Sequence, residues 1–392
     1  MTKDLFVYYS INMVEDHSHR ARKLTAVDLF CGGGGISCGL ERAGFDVLAG
    51  VDNEPTYLQS YKINFPHSIS LGHDLSEVSA VQVMHEVDIK KGSLDILAGG
   101  PPCQGFSKNV PRKNRYLEDP KNQLIAAFLR FAEASMPRFI LMENVAEMRE
   151  GFDGAYTSLL LEALESKHLG YAVTHRALYA PDFGVPQRRR RAFFLASRDG
   201  EQIALPSPTH SKPSAGFDLF VPESYVTVWD AIGDLPPLEH GEGVSPCDYE
   251  TGPQNEFQKW ARQGGEVVYN HVARKLQPTQ YERLSSLEPG QGMRDLPEHL
   301  RAKSGYSGAY GRLTKSMIAP TITRWVFHPG SGRFGHPVQP RVITIREAAR
   351  LQAFPDSFRF AGTYIQQSHQ VGNAVPPLLA ERIGLVVAAQ GS

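Results

Sequence analysis

Cysteine is scarce: four in 392 residues, at 31, 38, 103 and 247, with no Cys-x-x-Cys pair. That sets aside a disulfide framework and a zinc-site spacing, and points to reduced thiols in a cytoplasm. Long apolar runs are missing too. No stretch is long enough to span a bilayer. The opening MTKDLFVYYSINMVEDHSHRARK holds only a short apolar segment broken by polar residues, so no signal peptide is expected. Net charge is almost absent: 41 Lys and Arg against 42 Asp and Glu leave −1, which gives no global vote for nucleic acid. One local absence stands out. From Arg301 to Arg346 there are eight basic residues (301, 303, 312, 315, 324, 333, 341 and 346) and no Asp or Glu. That stretch reads equally as a phosphate-facing surface or as a solvated face whose acids lie elsewhere in space.

What is present is an ordinary globular composition, 41% hydrophobic and 21% charged, long enough for two domains or one domain with a large insertion. TAVDLF (25–30), FDVLAGV (45–51), LDILAG (94–99), RFILMEN (138–144) and RAFFLASR (191–198) read as buried strands. ISCGLERA, TYLQSYKINF, NQLIAAFLRFAEA and AYTSLLLEALESKHLG between them read as helices. Such alternation predicts an α/β fold, a mainly parallel sheet with helices on both faces, and ligands at the carboxyl ends of its strands. From the linker-like PSPTHSKPSAG to about residue 340 the chain is irregular and rich in Gly and Pro. Regular structure resumes in ITIREAARLQAF (343–354) and AVPPLLAERIGLVVAA (374–389).

Two loops carry chemistry. The first strand runs into Cys31-Gly32-Gly33-Gly34-Gly35 and then a helix, and Asp52 ends the next strand. Glycines permit a sharp turn and close ligand approach, and a carboxylate at that place can accept from both hydroxyls of a ribose. This pairing also fits a dinucleotide site, although Ser37 stands where the third glycine of that fingerprint belongs. The second loop is Gly99-Gly100-Pro101-Pro102-Cys103-Gln104-Gly105-Phe106-Ser107. It delivers a thiol on a Pro- and Gly-framed turn at the carboxyl edge, a setting that a merely buried cysteine does not need.

VDLFCGGGG, GGPPCQGFS, ENV, PQRRRR, RLTKSMIAPTIT and GNAVPP occur in the order of the cytosine-C5 DNA methyltransferases, which the chain resembles from about residue 24 except over 205–305. The resemblance implies a Rossmann-like methyltransferase sheet using S-adenosylmethionine, with no metal. It implies an extension (1–22), a catalytic and cofactor-binding domain (23–205), a target-recognition domain (206–342) and a return to the catalytic domain (343–392). Cys103 would add to C6 of cytosine, Glu143 would meet N3 and the exocyclic amine, and Arg189 and Arg191 would lie beside the base carbonyl. Family members often carry a Glu between those arginines; here the position is Arg190, which removes that partner and offers a phosphate contact instead.

By the same resemblance, Phe30, Gly32, Gly34, Asp52, Asn53, Asp74, Leu75, Pro101, Leu124, Asn373 and Val375 would form the cofactor pocket. Gln104, Ser107, Arg312, Thr321 and Thr323 would face DNA, with Lys108, Arg112, Lys113 and Arg115 closing on its backbone. The target cytosine must leave the duplex to reach such a pocket, at a cost of a few kcal/mol. The expected partner is double-stranded DNA, with a restriction endonuclease in the same system; the expected state is a cytoplasmic monomer. Methylation of tRNA, a non-enzymatic DNA-binding relative and a nicotinamide-dependent oxidoreductase are the rival readings. The long variable segment favours DNA over tRNA, the intact motifs disfavour the second rival, and the third leaves Pro102-Cys103-Gln104 unexplained.

Overall fold

The computed structural model describes residues 22–102, 123–150, 154–212, 223–302 and 308–391. Cys103, Gln104, Ser107 and the basic residues that follow them in the loop lie outside these.

Seven strands form one sheet: β1 (Thr25–Leu29), β2 (Asp46–Asp52), β3 (Ile69–Gly72), β4 (Ile96–Gly99), β5 (Phe139–Val145), β6 (Ala172–Tyr179) and β7 (Arg190–Ser197). Their order is β3-β2-β1-β4-β5-β7-β6. The first five run parallel, and β7 inserts antiparallel between β5 and β6. Helices α1 (Gly35–Arg42), α2 (Pro55–Asn64), α3 (Ala80–Glu86), α4 (Gln123–Ser135), α5 (Ala146–Glu150) and α6 (Ala155–Glu165) alternate with them. Alternate strand residues feed opposite cores, as the pleat requires. Ala26, Ile96, Ala98, Phe139, Leu141, Phe193 and Leu195 belong to one cluster. Val27, Leu29, Leu97, Ile140, Met142, Phe194 and Ala196 belong to the other. A strand buried on both sides must be apolar throughout, which is why these segments show as continuous runs.

The irregular part carries three short helices, α7 (Val228–Ile232), α8 (Glu256–Arg262) and α9 (Pro278–Ser285). Its buried Leu284, Leu287, Leu296, Tyr310 and Leu313 join the first cluster, so it packs onto the sheet's helical layer rather than forming a core of its own. The chain then returns through α10 (Ile345–Leu351), α11 (Tyr364–Asn373) and α12 (Pro377–Gly391). Tyr364–Gly391 is long and apolar enough to cross a bilayer by length and composition, contrary to the sequence reading. It is divided after Asn373, however, and most of its apolar window is buried, as in a core helix. Gly39 of α1 and Gly384 of α12 let the two helices touch: a Cβ on Gly39 would stand 2.5 Å from that of Ala380.

The basic stretch 301–346 is not one solvated face. Arg312, Arg341 and Arg346 are buried. Arg341 pairs with Glu347, and Arg346 lies 3.7 Å from Asp356. Arg333 Nη1 donates to the carbonyls of Gly290, Gln291 and Arg312. The acids beside Arg341 and Arg346 come from outside the segment, and backbone carbonyls accept from Arg312 and Arg333.

Tyr61 is fully buried under the first crossover, and Gly50 makes room for its ring. A Cβ on Gly50 would fall 2.2 Å from Tyr61 Cζ. Gly50→Ala should therefore cost about 1–3 kcal/mol of stability by overpacking a site that cannot relax. Urea denaturation of the variant against wild type measures it.

Candidate active site

Asp28, on β1, is fully buried directly behind the glycine turn. One carboxylate oxygen accepts from the Ser37 amide and hydroxyl, at 3.1 and 2.7 Å, and the Ser37 hydroxyl meets Tyr61, which meets Ser68. The other oxygen has no partner. Burial pushes the carboxyl up to about 7. A raised acid binds its proton in the folded chain while the unfolded chain has released it. Its stabilising contribution is therefore present below about pH 4 and is lost as pH rises to about 7. Asp28→Asn, which mimics the protonated acid, should be relatively more stable at pH 8 than at pH 5, with a difference on the order of a few kcal/mol. Denaturation of both proteins at the two pH values reads this out.

The turn itself bends through Phe30, Gly32 and Gly34, with φ of 57°, 56° and 100°. Gly34 rests on Phe65, whose ring a Cβ would strike at 2.3 Å, whereas a Cβ on Gly32 would meet nothing within 4 Å. The turn is thus packed beneath and open above. Asp52 holds its rim, accepting from the amides of Gly32 and Glu54 at 2.9 Å each. Burial raises its carboxyl, and those amides pull it down. Asn53 bonds to Asp74, which is exposed and held below the usual carboxylate range chiefly by the Ser76 hydroxyl.

Leu75 is buried in the second core, and Leu124 is half-buried at the start of α4. Asn373 ends α11 and bonds to Tyr57, a residue with no sequence signal of its own. Val375 closes over the turn: its carbonyl would stand 2.5 Å from a Cβ on Gly35. The structure therefore gathers the glycine turn, Asp52, Asn53, Asp74, Asn373 and Val375 around one edge.

Beside them stand the ends of β4, β5 and β7. Glu143 is buried with Oε1 3.0 Å from Arg191 Nε. The antiparallel register pairs Val145 with Arg191, which puts the arginine diagonally across from the carboxylate. Hence Arg190 does not deprive Arg191 of a partner; the acid comes from the neighbouring strand. Burial raises the Glu143 carboxyl above its ordinary value, although Arg191 and then Arg189 oppose it. A Cβ on Gly100 would lie 3.2 Å from Glu143 Oε2, and Asn144 Nδ2 donates to the buried Pro101 carbonyl at 3.0 Å. Gly100 and Pro101 therefore leave the sheet immediately beside Glu143 and Asn144.

Arg189 is buried, and desolvation lowers its pKa well below the ordinary value. Its Nη1 reaches the carbonyls of Ile322 and Gly372, each at 3.3 Å, while Nε has no partner. Gln187 pins the returning segments, donating to the Leu351 carbonyl and to Gln352 and accepting from the Ile322 amide. Thr321 donates to the Arg188 carbonyl, and Thr323 caps the Trp325 amide. Arg312 is placed otherwise than a DNA-facing residue: buried, it donates to the carbonyls of Leu287 and His336 and braces the irregular segment. The described cysteines 31, 38 and 247 are free thiols; burial drives Cys31 far up and Cys38 to about 12, which leaves both unreactive.

A family model described as C-5 cytosine-specific DNA methylase matches residues 24–388. The Type II methyltransferase M1.HphI of Haemophilus parahaemolyticus is 37% identical over 93% of this chain and 86% of its own. M.AgeI of Thalassovita gelatinovora is 31% identical over 91% of this chain and 97% of its own. Among solved structures, a DNA modification methyltransferase from an E. coli prophage superposes with a TM-score of 0.74 at 27% identity, over 94% of this chain and 99% of that one.

Proposed function

The chain belongs to the C-5 cytosine-specific DNA methylases and is a DNA (cytosine-5-)-methyltransferase, and from that premise we propose that Cys103, Glu143, Arg189 and Arg191 carry the reaction. The observation that supports this most is the buried Glu143–Arg191 pair at the foot of the Cys103 loop.

The glycine turn suits S-adenosylmethionine. It is open above Gly32, and Asp52 offers a carboxylate to a ribose. Phe30, Gly34, Asn53, Asp74, Leu75, Pro101, Leu124, Asn373 and Val375 complete the proposed pocket. When bound, that cofactor supplies an electrophilic methyl group on sulfur. Carbon 5 of cytosine is a poor nucleophile by itself. The Cys103 thiolate adds at C6, Glu143 provides a proton or hydrogen bond to N3, and the ring's electron pair is left at C5. After methylation a water or hydroxide takes the C5 proton, any proton given to N3 returns to Glu143, and the thiolate leaves. Burial suits Glu143 to this task because it favours the neutral, donating carboxyl. Arg191 holds that carboxyl in place, and Arg189 stiffens the floor between Ile322 and Gly372.

The target is a cytosine flipped from duplex DNA, with residues 206–342 reading the flanking sequence and Gln104, Ser107, Thr321 and Thr323 near the strand. Residues 23–205 and 343–392 form the catalytic domain, and 1–22 an extension. The Type II relatives favour a cytoplasmic restriction–modification setting with a cognate endonuclease. Incubation with labelled S-adenosylmethionine and either duplex DNA or tRNA tests the substrate. Label in DNA is expected; label in tRNA alone would overturn the reading. Bisulfite sequencing of DNA from cells expressing the chain then gives the site.

A further inference from the structure

Nine large apolar side chains are exposed among the described residues, and Trp325, at 46%, is the one aromatic among them. It stands on a built platform. Its amide donates to Thr323 Oγ1, and its carbonyl accepts from the His328 amide and the Ser331 hydroxyl at 2.9 and 2.6 Å. Ser368 of α11 donates to the Arg324 carbonyl. The loop rides so close on that helix that a Cβ on Gly372 would fall 2.2 Å from the Arg324 amide. The His369 ring meets the indole edge-on at 5.6 Å, and the Arg324 guanidinium lies 5.1 Å from the indole centre. Ile365, also exposed, shares the α11 face of His369 four residues away. The same loop supplies the Ile322 carbonyl that Arg189 holds together with that of Gly372.

A rigid, solvent-facing ring flanked by a cation, at the rim of the catalytic floor, is the arrangement that receives a π-face beside a phosphate chain. Resting on the function proposed above, we infer that Trp325, with Arg324, stacks on a base or sugar of the DNA strand exposed when the target cytosine leaves the duplex. Trp325 thus holds substrate in register without entering the chemistry.

The test compares Trp325→Ala and Trp325→Phe with wild type on a duplex carrying the mapped site. Steady-state KM is measured for DNA and for S-adenosylmethionine, and tryptophan fluorescence is followed on DNA addition. Trp325→Ala should raise KM for DNA roughly ten- to a hundredfold. Its KM for S-adenosylmethionine and its melting temperature should stay close to wild type. Trp325→Phe should keep most of the DNA affinity but lose the DNA-induced quenching. Unchanged KM for DNA in Trp325→Ala, or a rise confined to S-adenosylmethionine, would overturn the inference and in the second case make the ring a cofactor lid. A wild type that methylates no DNA would overturn the functional premise itself, and the inference with it.

Discussion

Glu143→Gln should lower the rate of methyl transfer about a thousandfold, within the range expected when a positioned acid–base group is lost. The amide is isosteric, so Arg191 still finds an oxygen where it now meets Oε1 at 3.0 Å. Neutralising the carboxyl takes the counter-charge from Arg191 and the buried Arg189, so the fold should lose some stability, which the melting temperature reads apart from the rate. What is lost is the proton. On the proposed mechanism the carboxyl would give a hydrogen to N3 and take it back, whereas an amide holds only a fixed hydrogen bond. The loss should therefore fall on the single-turnover rate, with KM for S-adenosylmethionine within a few-fold of wild type. Cys103→Ser sets the floor, because an alcohol at neutral pH does not add to C6. Duplexes containing 5-fluorocytosine separate the steps, since fluorine at C5 blocks release of the enzyme. Wild type should accumulate a covalent complex on a denaturing gel, Glu143→Gln should accumulate it slowly, and Cys103→Ser not at all. A Glu143→Gln enzyme within tenfold of wild type would remove Glu143 from the mechanism.

The approach of Glu143 to Arg191 was only half legible in the sequence. Both residues were assigned to strand ends, but the sense of the last strands was not readable. The apolar run AFFLA within RAFFLASR looks the same whether it runs parallel or antiparallel, and only the antiparallel register with β5 sets Arg191 diagonal to Glu143. The five strands buried on both faces announced themselves. The two that went unread, β3 and β6, are the sheet's edges, and ISLG and AVTHRALY carry half-exposed or exposed positions that break the apolar run. Helix α3, AVQVMHE, buries only Val83, so its pattern is equally faint. The glycine turn was read for its flexibility, yet the partners that demand it, Phe65 under Gly34 and Tyr61 under Gly50, come from α2 and could not be paired with it in advance.

Charge counted along the chain does not separate the two readings of 301–346, because burial is invisible to it: Arg312, Arg341 and Arg346 lie in the interior. Helix α10 is the extreme: every residue from Ile345 to Leu351 is buried, including Arg346, Glu347 and Arg350. A surface-type composition hides a core helix because each charge has a dedicated partner far away in sequence or one turn beyond the helix end.

Arg350→Ala should consequently be among the most destabilising single changes in the chain, costing about 3–5 kcal/mol. Its guanidinium bridges two carboxylates that are themselves wholly buried. It meets Asp356 at 2.7 and 2.5 Å and Asp234 at 2.8 Å, and also donates to the Ala231 carbonyl. Asp234 keeps Arg262, and Asp356 keeps the Tyr249 hydroxyl and a distant Arg346, so neither is orphaned, but each loses its best-matched cation while wholly buried. The link runs from α7 through the irregular segment to the returning α10, so its loss should loosen exactly the join between the recognition segment and the sheet.

The pH dependence gives the sign. Burial raises the Asp356 carboxyl, but Arg350, joined by Arg346 and the Tyr249 hydroxyl, outweighs this and holds it below the ordinary value. In wild type that depressed acid contributes stability above about pH 4, which is lost as pH falls through its folded pKa. In Arg350→Ala the contribution is already gone, so the gap between the two proteins should be widest at pH 7 and should narrow below pH 4. Arg350→Lys keeps the charge without the two-pronged contact and should fall between them. Urea denaturation at pH 7 and at pH 3 measures all three. A gap that stays constant with pH would assign the loss to packing around the α10 backbone instead of to the buried carboxylates.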